Sequence, residues 1–140
     1  MSLSLVSIVI GTRPEAIKLC PLILSFKRSK DFQVRVILTG QHEEMVSKIM
    51  SLFGLVEDIN LHILKKANDL IDINCAVMMG LREEFNQYLP NLLLVQGDTS
   101  TAYSSALAAF FYKIPIGHVE AGLRTDNLYD PFPEEVNRRL

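Results

Sequence analysis

Charged and polar side chains collect in five short stretches of this chain: Gly11-Thr12-Arg13-Pro14-Glu15, Gly40-Gln41-His42-Glu43, Gly97-Asp98-Thr99-Ser100, His118-Val119-Glu120-Ala121-Gly122 and Pro131-Phe132-Pro133-Glu134-Glu135. Each follows an apolar run, the last at a slight remove. The first stretch suits an anion. It reads as a helix start, with Thr12 or Arg13 as the cap, proline in the first turn and Glu15 placed for a capping box. Arg13 and, one turn later, Lys18 add two cations to a helix N-terminus that already attracts phosphate or pyrophosphate; the alternative is ordinary surface charge. The loop is neither Gly-x-Gly-x-x-Gly nor a Walker loop, so neither NAD nor ATP is indicated and no cofactor is expected.

The other stretches supply carboxylates and imidazoles. Asp98 closes the most apolar run; Thr99 or Ser100 could cap the next helix, and Asp98 is either that cap itself or a functional acid. Glu120 has no local capping task, and burial at the end of a strand is expected to raise its pKa and prepare it for proton transfer. His118, two residues earlier, is expected on the same face. His118 and His42 read either as hydrogen-bonded supports or, with Asp98 and Glu120, as metal ligands; no tight ligand spacing favours a metal, and none is assigned. Glu134 and Glu135 stand at a helix start, where they oppose the positive end of the dipole. The methionines and phenylalanines fall at helical spacings and are read as core.

Such loops act together only if a scaffold aims them at one place. Residues 5–10, 34–38, 92–95 and 115–119 read as strands, and residues 59–64 as a possible short third strand. Helices are expected over 14–26, 43–53 (stopped by Gly54), 69–88 (capped by Asn68 or Asp69, closed by Pro90) and 99–112. Alternation of strand and helix predicts a doubly wound, mainly parallel, Rossmann-like α/β sheet with right-handed crossovers. All strand-to-helix loops then emerge on one edge, where ligands bind.

The length of 140 residues, 49% of them hydrophobic, makes one core and leaves no room for a second domain. A net charge of −2 gives no basic field for nucleic acid, and Lys27-Arg28-Ser29-Lys30 falls where cations complement a helix end. Cys20 and Cys75 lie inside apolar periodic segments and are expected as buried free thiols in a reducing compartment. No stretch has the length of a membrane span or the flanks of a leader, so a cytoplasmic location is expected. Asn137-Arg138-Arg139-Leu140 begins a polar helix and then stops, which suggests a truncated chain or a missing partner domain.

In combination, Gly11-Thr12-Arg13-Pro14-Glu15-Ala16-Ile17-Lys18, Gln41-His42, Gly97-Asp98-Thr99, Gly117-His118-Val119-Glu120-Ala121-Gly122-Leu123-Arg124-Thr125 and Pro133-Glu134-Glu135 with Asn137-Arg138 strongly resemble the N-terminal domain of the non-hydrolysing UDP-N-acetylglucosamine 2-epimerases. The resemblance spans essentially all 140 residues. It implies two Rossmann-like domains in a glycosyltransferase-B arrangement, of which residues 1–140 form one wall of the cleft and the C-terminal domain is absent from this chain. It implies a homodimer at full length and the reversible conversion of UDP-N-acetylglucosamine to UDP-N-acetylmannosamine, which supplies cell-surface polysaccharide precursors. The C2 hydrogen is not next to a carbonyl. Anti elimination of UDP to 2-acetamidoglucal, followed by re-addition with a proton delivered to the opposite face, is the implied path.

On the same ground Asp98, Glu120 and Glu134 are the catalytic carboxylates, Arg13 and Lys18 hold the diphosphate, and His118 and Arg138 join them in binding substrate. Gln41, His42 and Glu44 mark a possible allosteric site. Many bacterial members are activated there by UDP-N-acetylglucosamine through Gln-His-x-Gln and an arginine; this chain has Glu44 and Ala67 at the second glutamine and the arginine, so little activation is expected. Two other classes stay open: a glycosyltransferase or hydrolysing epimerase of the same architecture, and a nucleotide-sugar-binding module without turnover. Three acidic groups on one rim favour an enzyme, because they oppose simple diphosphate binding.

Overall fold

The computed structural model describes residues 3–65 and 67–140. Five strands, β1 (Ser4–Ile10), β2 (Phe32–Leu38), β3 (Ile59–Asn60), β4 (Leu92–Gln96) and β5 (Ile116–Val119), pair in the order β3-β2-β1-β4-β5 with every neighbouring pair parallel. The helices are α1 (Arg13–Arg28), α2 (Glu43–Leu52), α3 (Leu70–Gln87), α4 (Ser100–Phe111) and α5 (Glu134–Arg139). This is the strand order of a Rossmann sheet, with the order reversing beside β1.

Alternation along the strands builds two cores. Val6, Ile8 and Ile10 of β1, Val36 and Leu38 of β2 and Leu94 of β4 join Leu19, Ile23, Val46 and Met50 of α1 and α2 on one face. Val9, Ile37, Leu93 and Val95 point the other way, into Val77, Leu81, Phe85 and Ala109 of α3 and α4. With both faces covered, the strands read in sequence as nearly unbroken apolar runs. Gly11 sits where β1 passes under α4: a Cβ there would lie 2.1 Å from Thr101 Oγ1.

Three expectations need correction. The possible strand over residues 59–64 pairs only at Ile59–Asn60, because the Asn60 side chain accepts from the His62 N–H at 2.9 Å, His62 turns to a φ of +50° and a 3₁₀ turn follows at Ile63–Lys65. Cys20 is buried, but Cys75 is exposed on α3; both are free thiols. The aromatic and methionine residues divide: Met50 and Phe85 are core, whereas Met45, Met79, Phe110, Phe111 and Phe132 are exposed. Helical spacing alone does not say which stripe meets the sheet. Among the described residues no helix is long and apolar enough to cross a membrane.

Candidate active site

Loops leaving the C-terminal ends of β1, β2, β4 and β5 meet at one cavity of about 380 Å³. Asp98, Glu120 and Glu134 line it together with Thr12, Lys18, His42, Gln96 and Thr99. Residues from five separate stretches of sequence are thus brought to one place.

Thr12 is the N-cap of α1 and Arg13 its first residue. The Glu15 carboxylate turns back: Oε2 accepts from the Gly11 N–H at 2.8 Å and from the Thr12 N–H. Pro14 has no N–H to offer, so this terminus is largely satisfied from within. Lys18 points its ammonium at Glu120, and Arg13 is exposed outside the cavity lining. At β4 the cap of α4 is Thr99, which accepts from the Ala102 N–H, so Asp98 has no capping task. Asp98 instead pairs with Arg138, whose Nε and Nη2 both lie 2.8 Å from Oδ2, while the Asp98 carbonyl accepts from the Asn137 side chain. This pairing raises the Arg138 pKa.

Glu120 departs from its expected surroundings. It is partly exposed, and its pKa is lowered, chiefly by the Lys18 hydrogen bond and with help from Gln96, whose Nε2 donates at 2.6 Å. Lys18 lies 102 residues away in sequence, so no local pattern signals the pairing. The Glu120 backbone is left-handed, with φ at +60°, just past the end of β5, and Glu120 and His118 line different cavities rather than sharing one. His118 places Nε2 2.6 Å from the Gly97 carbonyl and lines a second groove, of about 450 Å³, with Tyr103, Phe110 and Arg139. Among the described residues no group of three or more His, Cys, Asp or Glu side chains is placed to hold a metal ion.

On the β2 side, His42 reaches the cavity, whereas Gln41 accepts from the Thr101 hydroxyl and Glu44 is exposed beside Lys48. Glu135, singled out in the sequence only as a charge at a helix start, is fully buried. It accepts from Arg139 Nε at 2.7 Å, the Thr125 N–H at 2.9 Å and Arg138 Nη1 at 3.2 Å. Arg139 leads in pulling its pKa down to about 2.

A family model for UDP-N-acetylglucosamine 2-epimerase matches residues 24–140. The chain belongs to the UDP-N-acetylglucosamine 2-epimerase family. An epimerase of this name from Salmonella typhimurium is 46% identical over 132 residues, 94% of this chain and 35% of the relative. Among solved structures, the Neisseria meningitidis UDP-GlcNAc 2-epimerase bound to UDP-GlcNAc superposes with a TM-score of 0.92 at 45% identity, covering 96% of this chain and 37% of that one. The Methanocaldococcus jannaschii enzyme in complex with UDP-GlcNAc and UDP superposes with a TM-score of 0.88 at 34% identity, over 97% and 37%. The chain therefore spans about a third of the length of the epimerases it matches.

Proposed function

We propose that this chain is the N-terminal Rossmann-like domain of an enzyme that interconverts UDP-N-acetylglucosamine and UDP-N-acetylmannosamine, and that a second domain closes the cleft over the cavity described above. The carrying observation is that Asp98, Glu120 and Glu134 ring one cavity with Lys18 at the C-terminal edge of the sheet, in a chain of this family. Elimination of UDP to 2-acetamidoglucal needs a base for the C2 proton, an acid for the return step and cations for the departing diphosphate. Lys18 and Gln96 keep Glu120 ionised, the form able to accept a proton, while lowering its basicity. Asp98 and Glu134 complete the carboxylate set; Arg13 and Lys18 are assigned to the diphosphate, and His118 and Arg138 to substrate binding. The whole protein acts as a homodimer in the cytoplasm, without a cofactor, and supplies polysaccharide precursors. Two free thiols fit a reducing compartment.

Full-length protein incubated with UDP-N-acetylglucosamine in heavy water should place deuterium at C2 of the product, followed by NMR, and release UDP and 2-acetamidoglucal over long incubation. Product that keeps its original C2 hydrogen would exclude elimination. Glu120→Gln should lower turnover on the order of 10²–10⁴-fold with a smaller effect on substrate affinity. The 140-residue chain alone should fold, bind UDP weakly and not turn over, because half of the preorganised site is absent.

A further inference from the structure

Glu15 stands one layer behind the cavity. It is 1% exposed, does not line the cavity, and forms no ion pair among the described residues. Its two oxygens nevertheless join two of the loops that do line it. Oε2 gathers the Gly11 and Thr12 N–H groups of the β1–α1 turn, and Oε1 accepts from the Thr99 hydroxyl of the β4–α4 turn at 2.5 Å. Thr99 Oγ1 also accepts from the Ala102 N–H at 3.0 Å, so its hydroxyl is engaged in both directions and its rotamer is fixed. Asp98 is the residue immediately before it. Lys18, three residues after Glu15 on α1, carries the partner of Glu120.

We propose that Glu15 is a positioning residue for the reaction, holding the β1–α1 and β4–α4 turns in register so that Asp98, Lys18 and, through Lys18, Glu120 keep one mutual geometry. The proposal rests on the epimerase reading above. Glu15 closes the capping box of α1 through Oε2, but that task leaves Oε1 free, and Thr99 already caps α4 with its own side chain, so capping alone does not call for the bond between the two turns. Burial raises the Glu15 pKa, the Thr99 and backbone hydrogen bonds opposing it only in part.

The test compares full-length variants by separate kcat and KM and by thermal midpoint. Glu15→Ala should lower kcat by roughly 10²-fold, the scale on which small misplacements act, with KM changed by less than about threefold. Ile23→Ala, a fully buried site farther along the same helix, should lower the midpoint and leave kcat near wild type. Should Glu15→Ala fold poorly, Glu15→Gln keeps its volume and an acceptor for the two N–H groups, and a loss of about tenfold in kcat is expected from the disturbed Thr99 bond. Thr99→Val should repeat that loss, and Thr99→Ser should restore kcat. Unchanged kcat in Glu15→Ala and Glu15→Gln beside an active wild type, or an equal kcat loss in Ile23→Ala, would overturn the role of Glu15 while leaving the epimerase reading intact. A wild type without turnover would overturn that reading and the role of Glu15 with it.

Discussion

Glu15 and Glu135 are sealed from solvent to the same degree, at 1% and 0% exposure, yet their pKa values move in opposite directions. Around Glu15 are backbone N–H groups and threonine hydroxyls with no cation among the described residues, and burial prevails. Around Glu135 are two guanidinium groups as well as the Thr125 N–H, and the charge is welcome. The wall formed by α1 and α4 is thus held by dipoles within a packed core. The arm from Glu120 to Pro133, where Leu123, Tyr129 and Phe132 are exposed, is held at Thr125 by Glu135 and Arg139 of α5, and α5 is fastened to the β4–α4 turn by Asn137 and Arg138 at Asp98. One wall answers to packing and the other to charge.

Arg138→Ala should break that contrast most severely, since it removes the cation paired with Asp98 and one of the two paired with Glu135. Turnover of the full-length protein and its thermal midpoint should both fall, and Arg138→Lys should recover only part, because an ammonium cannot bridge two carboxylates as a planar fork does. A midpoint unchanged in Arg138→Ala would mean that the arm is fastened by something else. Glu15→Ala comes next for stability, with about 1–3 kcal/mol for each donor left unpaired, read by urea unfolding.

Acid titration sharpens the comparison. Glu135 has a folded pKa of about 2 against an ordinary 4.5, so its contribution is present above 4.5 and is lost as pH falls from 4.5 toward 2. Glu15 has a raised folded pKa, so its ionisation weakens the fold as pH rises from 4.5 through the raised value. Urea midpoints of Glu135→Gln should therefore lose part of the acid-side slope. The gap between wild type and Glu15→Gln should move the other way, in disfavour of wild type with rising pH. Equal slopes in the two variants would erase the distinction. The smallest effect is expected at Glu44 and Ala67: substrate saturation of the full-length protein should stay close to hyperbolic, and strongly sigmoidal curves would show that activation survives both replacements.

Much of this architecture is legible in the residues themselves. Apolar runs bounded by Gly11, Gly97 and Pro115 give the strands, and Thr12, Asp69 and Thr99 give helix starts because caps are local chemistry. The stretch after Ile59 is misread because a side chain, Asn60, competes with the ladder for a backbone donor. At the site, residue types reveal Asp98, Glu120 and Glu134. Their electrostatics depend on partners 40 and 102 residues distant for Asp98 and Glu120, so Glu120 reads as a raised acid when its partner makes it a lowered one. Glu15 is hidden for the same reason, since Thr99 is 84 residues away, whereas the partners of Glu135 are three to ten residues distant and go unnoticed because a carboxylate at a helix start already has a ready explanation.

The left-handed backbone at Glu120 carries a consequence for anyone seeking hardier versions of this protein. A residue with a side chain at a φ of +60° is held there against its own preference, at a cost on the order of 1 kcal/mol, whereas glycine adopts it freely. A library screened for heat tolerance alone would favour glycine at position 120. Its winners would have exchanged the group assigned to the C2 proton for a more comfortable turn, so such a screen needs a turnover assay beside it.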